Sequence, residues 1–144
     1  MQPIKFCATA ALIALVFLTV GCSALSSAKT EKPHAMTLEK GTDGAANRIT
    51  LTQKAVERLE LQVAKVSSAP GNKLQVPSEA VFYDSNGSTW VYANPAPLVF
   101  MRHPVALERI SGKNAMLSSG PAVGSSVATT GVPELQGADA GIGY

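Results

Sequence analysis

The stretch Val76-Pro77-Ser78-Glu79-Ala80-Val81-Phe82-Tyr83-Asp84-Ser85-Asn86-Gly87-Ser88-Thr89-Trp90-Val91-Tyr92 decides the fold class. Residues 80–83 read as extended chain. Residues 89–92 are β-branched and aromatic, a composition that packs well on a pleated surface. Between them lies Asn86-Gly87, the pair favoured where both central residues of a tight turn need positive φ. The whole segment reads as a β-hairpin.

The same pattern extends in both directions. Downstream, Asn94-Pro95-Ala96-Pro97 breaks the returning strand. Residues 98–101 and 104–110 form the next extended stretch, interrupted at His103-Pro104. Ser111-Gly112-Lys113-Asn114 turns into Ala115-Met116-Leu117. Gly120-Pro121-Ala122-Val123-Gly124 is a further turn before Ser126-Val127-Ala128-Thr129-Thr130. Upstream, Leu74 and Val76 alternate into Pro77, and Ser67-Ser68-Ala69-Pro70-Gly71-Asn72 reads as a turn or linker. Leu61-Gln62-Val63-Ala64-Lys65-Val66 alternates as a half-buried strand. Order begins at Arg48-Ile49-Thr50-Leu51, and Thr52 is placed to cap a short helix over residues 53–59. Val56 and Leu59 are three apart and share one face of that helix. Short strands with turns about every ten residues predict a mainly β domain, a small barrel or sandwich with one short helix. Phe82, Trp90, Tyr92 and Phe100 are its expected core aromatics.

The N-terminus carries a different signal. Lys5 precedes the uncharged run Phe6-Cys7-Ala8-Thr9-Ala10-Ala11-Leu12-Ile13-Ala14-Leu15-Val16-Phe17-Leu18-Thr19-Val20, which ends at Gly21-Cys22. That run has the length of a signal-peptide apolar region and falls short of the roughly 20 apolar residues of a membrane span. Small residues before a cysteine suit lipoprotein processing, so residues 1–21 are expected to be removed and Cys22 to carry the lipid. Thr19 departs from the usual lipobox, where leucine is common at that position. An uncleaved membrane helix and ordinary signal-peptidase cleavage are the two other readings. Acyl chains on Cys22 contribute about 0.8 kcal/mol per buried CH₂, so multiple acylation anchors without a spanning helix.

Removing residues 1–21 from the 144 leaves 123, enough for one small domain and a tether. Residues 22–46, rich in Ser, Ala, Lys, Glu, Gly and Thr, read as that flexible tether; residues 47–136 read as the β domain. Residues 137–144 read as a loose Gly/Ala-rich tail. Cys7 leaves with the signal and Cys22 is consumed by the lipid. The mature chain then holds no thiol for a disulfide, a metal or catalysis. Without Lys5, eleven Lys and Arg face ten Asp and Glu. No basic run points to nucleic acid, and none is expected as a partner. The positive mean hydropathy owes much to the signal segment.

Catalytic motifs are missing from the sequence. It contains no Gly-x-Ser-x-Gly elbow, P-loop, His-Glu-x-x-His or Cys-x-x-Cys, so no catalytic residue and no cofactor are expected. Asp84, Glu108 and Glu134 read as isolated surface carboxylates. One constellation stands out: His34-Ala35-Met36 and Met101-Arg102-His103 each place a thioether two residues from an imidazole. Such donors suit Cu(I) or Ag(I). Met101 and His103 share a strand face, whereas nothing in the sequence joins His34 and Met36 to them. The competing reading assigns Met101 to packing and His34 and Met36 to the tether.

Taken in order, Val76-Pro77-Ser78-Glu79-Ala80-Val81, Asn86-Gly87, Trp90-Val91-Tyr92, residues 102–109 and Gly120-Pro121-Ala122-Val123-Gly124-Ser125-Ser126-Val127-Ala128-Thr129-Thr130-Gly131 resemble a known domain. It is the membrane-proximal domain of HlyD-like periplasmic adaptors, the membrane fusion proteins of RND efflux pumps. Glu134-Leu135-Gln136-Gly137-Ala138 with Gly141-Ile142-Gly143 resembles the ending of heavy-metal-type members. Residues 49–52 through 61–66 resemble the family's first strand and short helix. A full adaptor inserts lipoyl-like, hairpin and barrel domains between these two ends; here only residues 67–74 separate them. The resemblance implies that both chain ends build one membrane-proximal module, without the hairpin that meets an outer-membrane channel.

The expected function is thus a non-enzymatic, lipid-anchored periplasmic module associated with an inner-membrane RND transporter and other adaptor subunits. Alternatives are a Cu/Ag-binding envelope lipoprotein using His34, Met36, Met101 and His103, or a degenerate adaptor fragment. Ser23 after the lipid cysteine favours the outer membrane, and an adaptor role favours the inner.

Overall fold

Val91 and Tyr92 are adjacent and both buried, which a strand permits only if both of its faces are covered. The structure, a computed structural model, describes residues 35–42 and 45–142. All of these belong to one unit, Lys32–Tyr144. The signal segment 1–21, Cys22, His34 and the rest of the tether up to it lie outside the described residues, as do residues 43–44 and 143–144.

Among the described residues, eleven strands and two helices follow one another: β1 (Met36–Glu39), β2 (Arg48–Leu51), α1 (Gln53–Arg58), β3 (Val63–Lys65), β4 (Ser67–Ala69) and β5 (Lys73–Pro77). After a 3-10 turn at Ser78–Ala80 come β6 (Phe82–Tyr83), β7 (Thr89–Ala96), β8 (Val99–Pro104), β9 (Ala106–Ser111), β10 (Asn114–Ser119), β11 (Ser126–Ala128) and α2 (Val132–Asp139). All strand pairs are antiparallel. One sheet runs β1-β2-β8-β7-β11-β3 with β6 also on β7; the other runs β4-β5-β10-β9. The fold is mainly β, as expected, in the form of two sheets with helices, and the described strands form no closed barrel.

Two cores result. Tyr92, Phe100, Ile49 and Leu51 of the larger sheet pack against Ala55 of α1 and Leu135 of α2. Phe82 stacks on Tyr92 at 4.9 Å between ring centroids. On the other side of the sheet, Val91 and Val127 pack against Val76, Ala115 and Leu117 of the smaller sheet. Alternation splits neighbours between the cores: Val91 from Tyr92, and Val127 from Ala128. Single buried residues carry the chain from sheet to sheet. Val66 bridges β3 to β4, its N–H donating to Ser125 O and its carbonyl accepting from Gly124 N, each at 2.8 Å. Val105 bridges β8 to β9, donating to Thr89 O at 3.0 Å.

Several expected boundaries move. Met36-Thr37-Leu38-Glu39, inside the expected tether, is a strand: Met36 pairs with Leu51 and Leu38 with Ile49. Its two apolar residues reach the helix-side core, but four residues are too few for alternation to register in sequence. The expected loose tail from residue 137 contains the end of α2, with Ala138 buried; Leu135 and Ala138, three apart, supply its packing face. This second helix starts at Gly131, whose φ of +76° is costly for other residues, with Pro in the first turn.

The expected break at residues 94–97 narrows to a turn at residues 97–98: β7 continues through a bulge to Ala96, and the Asn94 amide donates to the carbonyls of Ala96 and Val99 at 2.8 Å. The interruption expected at His103-Pro104 falls at Val105 instead. Residues 67–72, read as a turn or linker, supply strand β4 and a turn in which Gly71 and Asn72 take positive φ. In the hairpin at residues 84–88 only Gly87 has positive φ. Asp84 Oδ1 accepts from the Asn86 and Ser88 amides, both at 2.9 Å, so a side chain organises that loop. Thr52 caps α1 as expected, accepting from Ala55 N at 3.2 Å.

Candidate functional site

A concavity of about 400 Å³ lies on the helix-covered side of the larger sheet. Ala55 of α1 and Ala138 of α2 both line the space, and neither fills it as a larger side chain would. Met36, Leu51, Leu59 and Leu135 complete an apolar floor. Met36 comes from the segment read as tether and Ala138 from the segment read as loose tail, and no helix was expected over residues 132–139, so the groove was invisible beforehand. Lys54 and Arg58 follow the α1 edge of the groove, one helical turn apart on the same side, and Glu134 stands on the α2 side. Neither cation forms an ion pair with a described residue.

A polar latch holds α2 beside this groove. Asp139 Oδ2 accepts from the Tyr92 hydroxyl at 3.2 Å, and its Oδ1 accepts from Asn47 Nδ2 at 2.8 Å. Arg102 Nε lies 3.5 Å from Oδ2. The Arg102 guanidinium covers Trp90 at 4.5 Å from the ring, and Trp90 Nε1 donates to Asp84 Oδ2 at 3.0 Å. Tyr92 is held well above the ordinary phenol range, first by burial and then by the charge and hydrogen bond of Asp139, against Arg102. At Asp84, desolvation pushes upward but is outweighed: hydrogen bonds from Trp90, Ser88 and Asn86, with the Arg102 charge, hold the carboxyl below its usual value. Both shifts run away from neutrality. The bond from Tyr92 to Asp139 joins β7 to α2.

Among the remaining candidates, Met36 lies on the helix side of the sheet with Leu51. Met101 lies on the other face, because it is one residue from Phe100, which faces the helix-side core. Met101 and His103 share that opposite face, across from Ala93 and Val91. Met36 is therefore separated by the sheet from Met101 and His103, and His34 lies outside the described residues. His103 Nδ1 sits 2.8 Å from the Pro104 carbonyl oxygen, which makes this nitrogen the donor. Among the described residues, no group of three or more His, Cys, Asp or Glu has the arrangement of a metal site. Glu108 pairs with Lys73 on the smaller sheet, and Asp84 belongs to the latch. No described helix is long and apolar enough to cross a membrane.

No protein-family model, curated protein or solved structure matches this chain.

Proposed function

We propose that this chain is a non-enzymatic, lipid-anchored periplasmic module of the membrane-fusion-protein type, which binds an RND-type inner-membrane transporter. The observation that carries this reading is the seam between the two halves of the chain. Strands β2 and β3 come from the segment before residue 67, and they pair with β8 and β11 from the segment after residue 74. Only the short β4–β5 hairpin joins the halves. That is the arrangement expected when two distant ends of an adaptor build one domain and the intervening domains are absent. Each half supplies part of both cores, so the seam is a packed interior.

The test is affinity purification of the full chain from native membranes under mild detergent. A transporter subunit in stoichiometric yield is expected. Membranes that yield the protein with no transporter subunit would remove the reading. The anchor is tested separately: Cys22→Ala should move the protein to the soluble periplasmic fraction, and retention in the membrane would mean an uncleaved helix.

A further inference from the structure

We propose that the groove between α1, α2 and β1 binds a single-chain anionic amphiphile, a free long-chain fatty acid. Its acyl chain lies on the apolar floor and its carboxylate faces Lys54 and Arg58. The inference rests on the groove and not on the adaptor reading. The groove's volume, about 400 Å³, falls within the range of small-molecule sites, roughly 300–1,000 Å³. Its floor offers Leu59, Leu135 and the thioether of Met36, whose unbranched side chain adapts to a flexible hydrocarbon. Lys54 and Arg58 place two positive charges on one rim, while Glu134 stands opposite. That asymmetry orients the head group toward α1 and disfavours a second anionic group at the other end.

The dimensions argue against a protein helix as occupant. With six and eight residues, α1 and α2 are only about 9 and 12 Å long at 1.5 Å per residue. An amphipathic helix docks through anchors spread over i, i+3, i+4 and i+7, about the full length of such a wall, and gains little from so short a groove. A planar bilayer surface does not enter a concavity. A hydrocarbon chain with one charged end matches the volume and the charge distribution.

The test uses the full chain in nanodiscs of phosphatidylcholine, with palmitic acid carrying a photoactivatable diazirine on its acyl chain. After illumination, peptide mapping should place the label on peptides containing Met36, Leu59 or Leu135. Oleate should displace it at least tenfold more effectively than hexadecanol, which lacks the carboxylate. Lys54→Glu combined with Arg58→Glu changes exposed positions and should reduce labelling at least fivefold while leaving the circular dichroism spectrum unaltered. Ala55→Met, which fills the groove, should also exclude the probe. Equal displacement by hexadecanol, labelling indifferent to charge reversal, or label found only outside the groove would overturn the proposal. Exclusion of the probe by a polypeptide cross-linked across the groove in native membranes would overturn it as well.

Discussion

The hydroxyl of Tyr92 donates to the carboxylate of Asp139 across 47 residues of sequence, at 3.2 Å. This bond joins the central strand β7 to the last helix. The Asp139 side chain is only 8% exposed and also meets Asn47 and Arg102. Asp139→Ala leaves the Tyr92 hydroxyl without this acceptor and Asn47 Nδ2 without one of its two acceptors. The expected loss is about 1–3 kcal/mol, the cost of stranding a buried polar group. Urea denaturation of the variant against the parent measures it, and an unchanged midpoint would refute the role of the latch.

Alkaline pH should act through the same residue. Burial and Asp139 raise the Tyr92 phenol above its ordinary value of 10.0 in the folded chain. The unfolded chain therefore loses this proton first, and above about pH 10 it binds fewer protons than the folded chain. Stability from this group is fully present below that pH and declines as pH rises beyond it. Tyr92→Phe should flatten the decline between pH 10 and pH 12 in thermal melts, relative to the parent. An identical alkaline slope in both proteins would count against the assignment.

Trp90 is the chain's one tryptophan, so its fluorescence reports the Asp84 loop. Against desolvation, the Asp84 carboxyl is held below its ordinary value of 3.8 in the folded state by the hydrogen bonds that it accepts. Its stabilising effect is present above that pH and fades as pH falls through the lower, folded value. The indole emission should hold steady from neutral pH down past 3.8, then shift at lower pH as the Trp90–Asp84 bond is lost. Asp84→Asn should abolish the shift. A transition at the same acid pH in the variant would assign it elsewhere.

The end of α1 carries a correctable strain. Leu61 N–H donates to Val56 O and Glu60 N–H to Glu57 O, the paired bonds of a Schellman motif, with Glu60 at φ +48°. A left-handed residue with a side chain costs about 1–2 kcal/mol, part of which glycine returns as greater freedom of the unfolded chain. Glu60→Gly should therefore stabilise by about 0.5–1 kcal/mol in chemical denaturation. A destabilised variant would show that the Glu60 side chain makes a compensating interaction.

Local pattern was enough for much of the fold. Thr52 before an apolar-faced segment specified the cap of α1, because an N-cap is a contact between residues three apart. Trp90-Val91-Tyr92 specified a strand, because β-branched and aromatic residues disfavour other backbone states. The turn at residues 84–88 was legible in position but not in kind, since Asp84 and not Asn86 shapes it. Other features needed tertiary structure. Val63 in the alternating segment 61–66 is 47% exposed while Val66 is buried, because β3 is an edge strand whose inward side is chosen by the partner sheet.

The sequence alone determined that the chain is mainly β, where its hairpin turns, and which aromatics are packed, all matters of local spacing and residue type. Tertiary structure alone decided that Met36–Glu39 is a strand and Val132–Asp139 a helix, since both gain stability from burial against residues distant in sequence. It also decided that Met36 and Met101 occupy opposite faces of one sheet, and that Ala55 and Ala138 line one groove between helices. Cross-strand register and side-chain volume set those outcomes, and neither exists until the strands have paired.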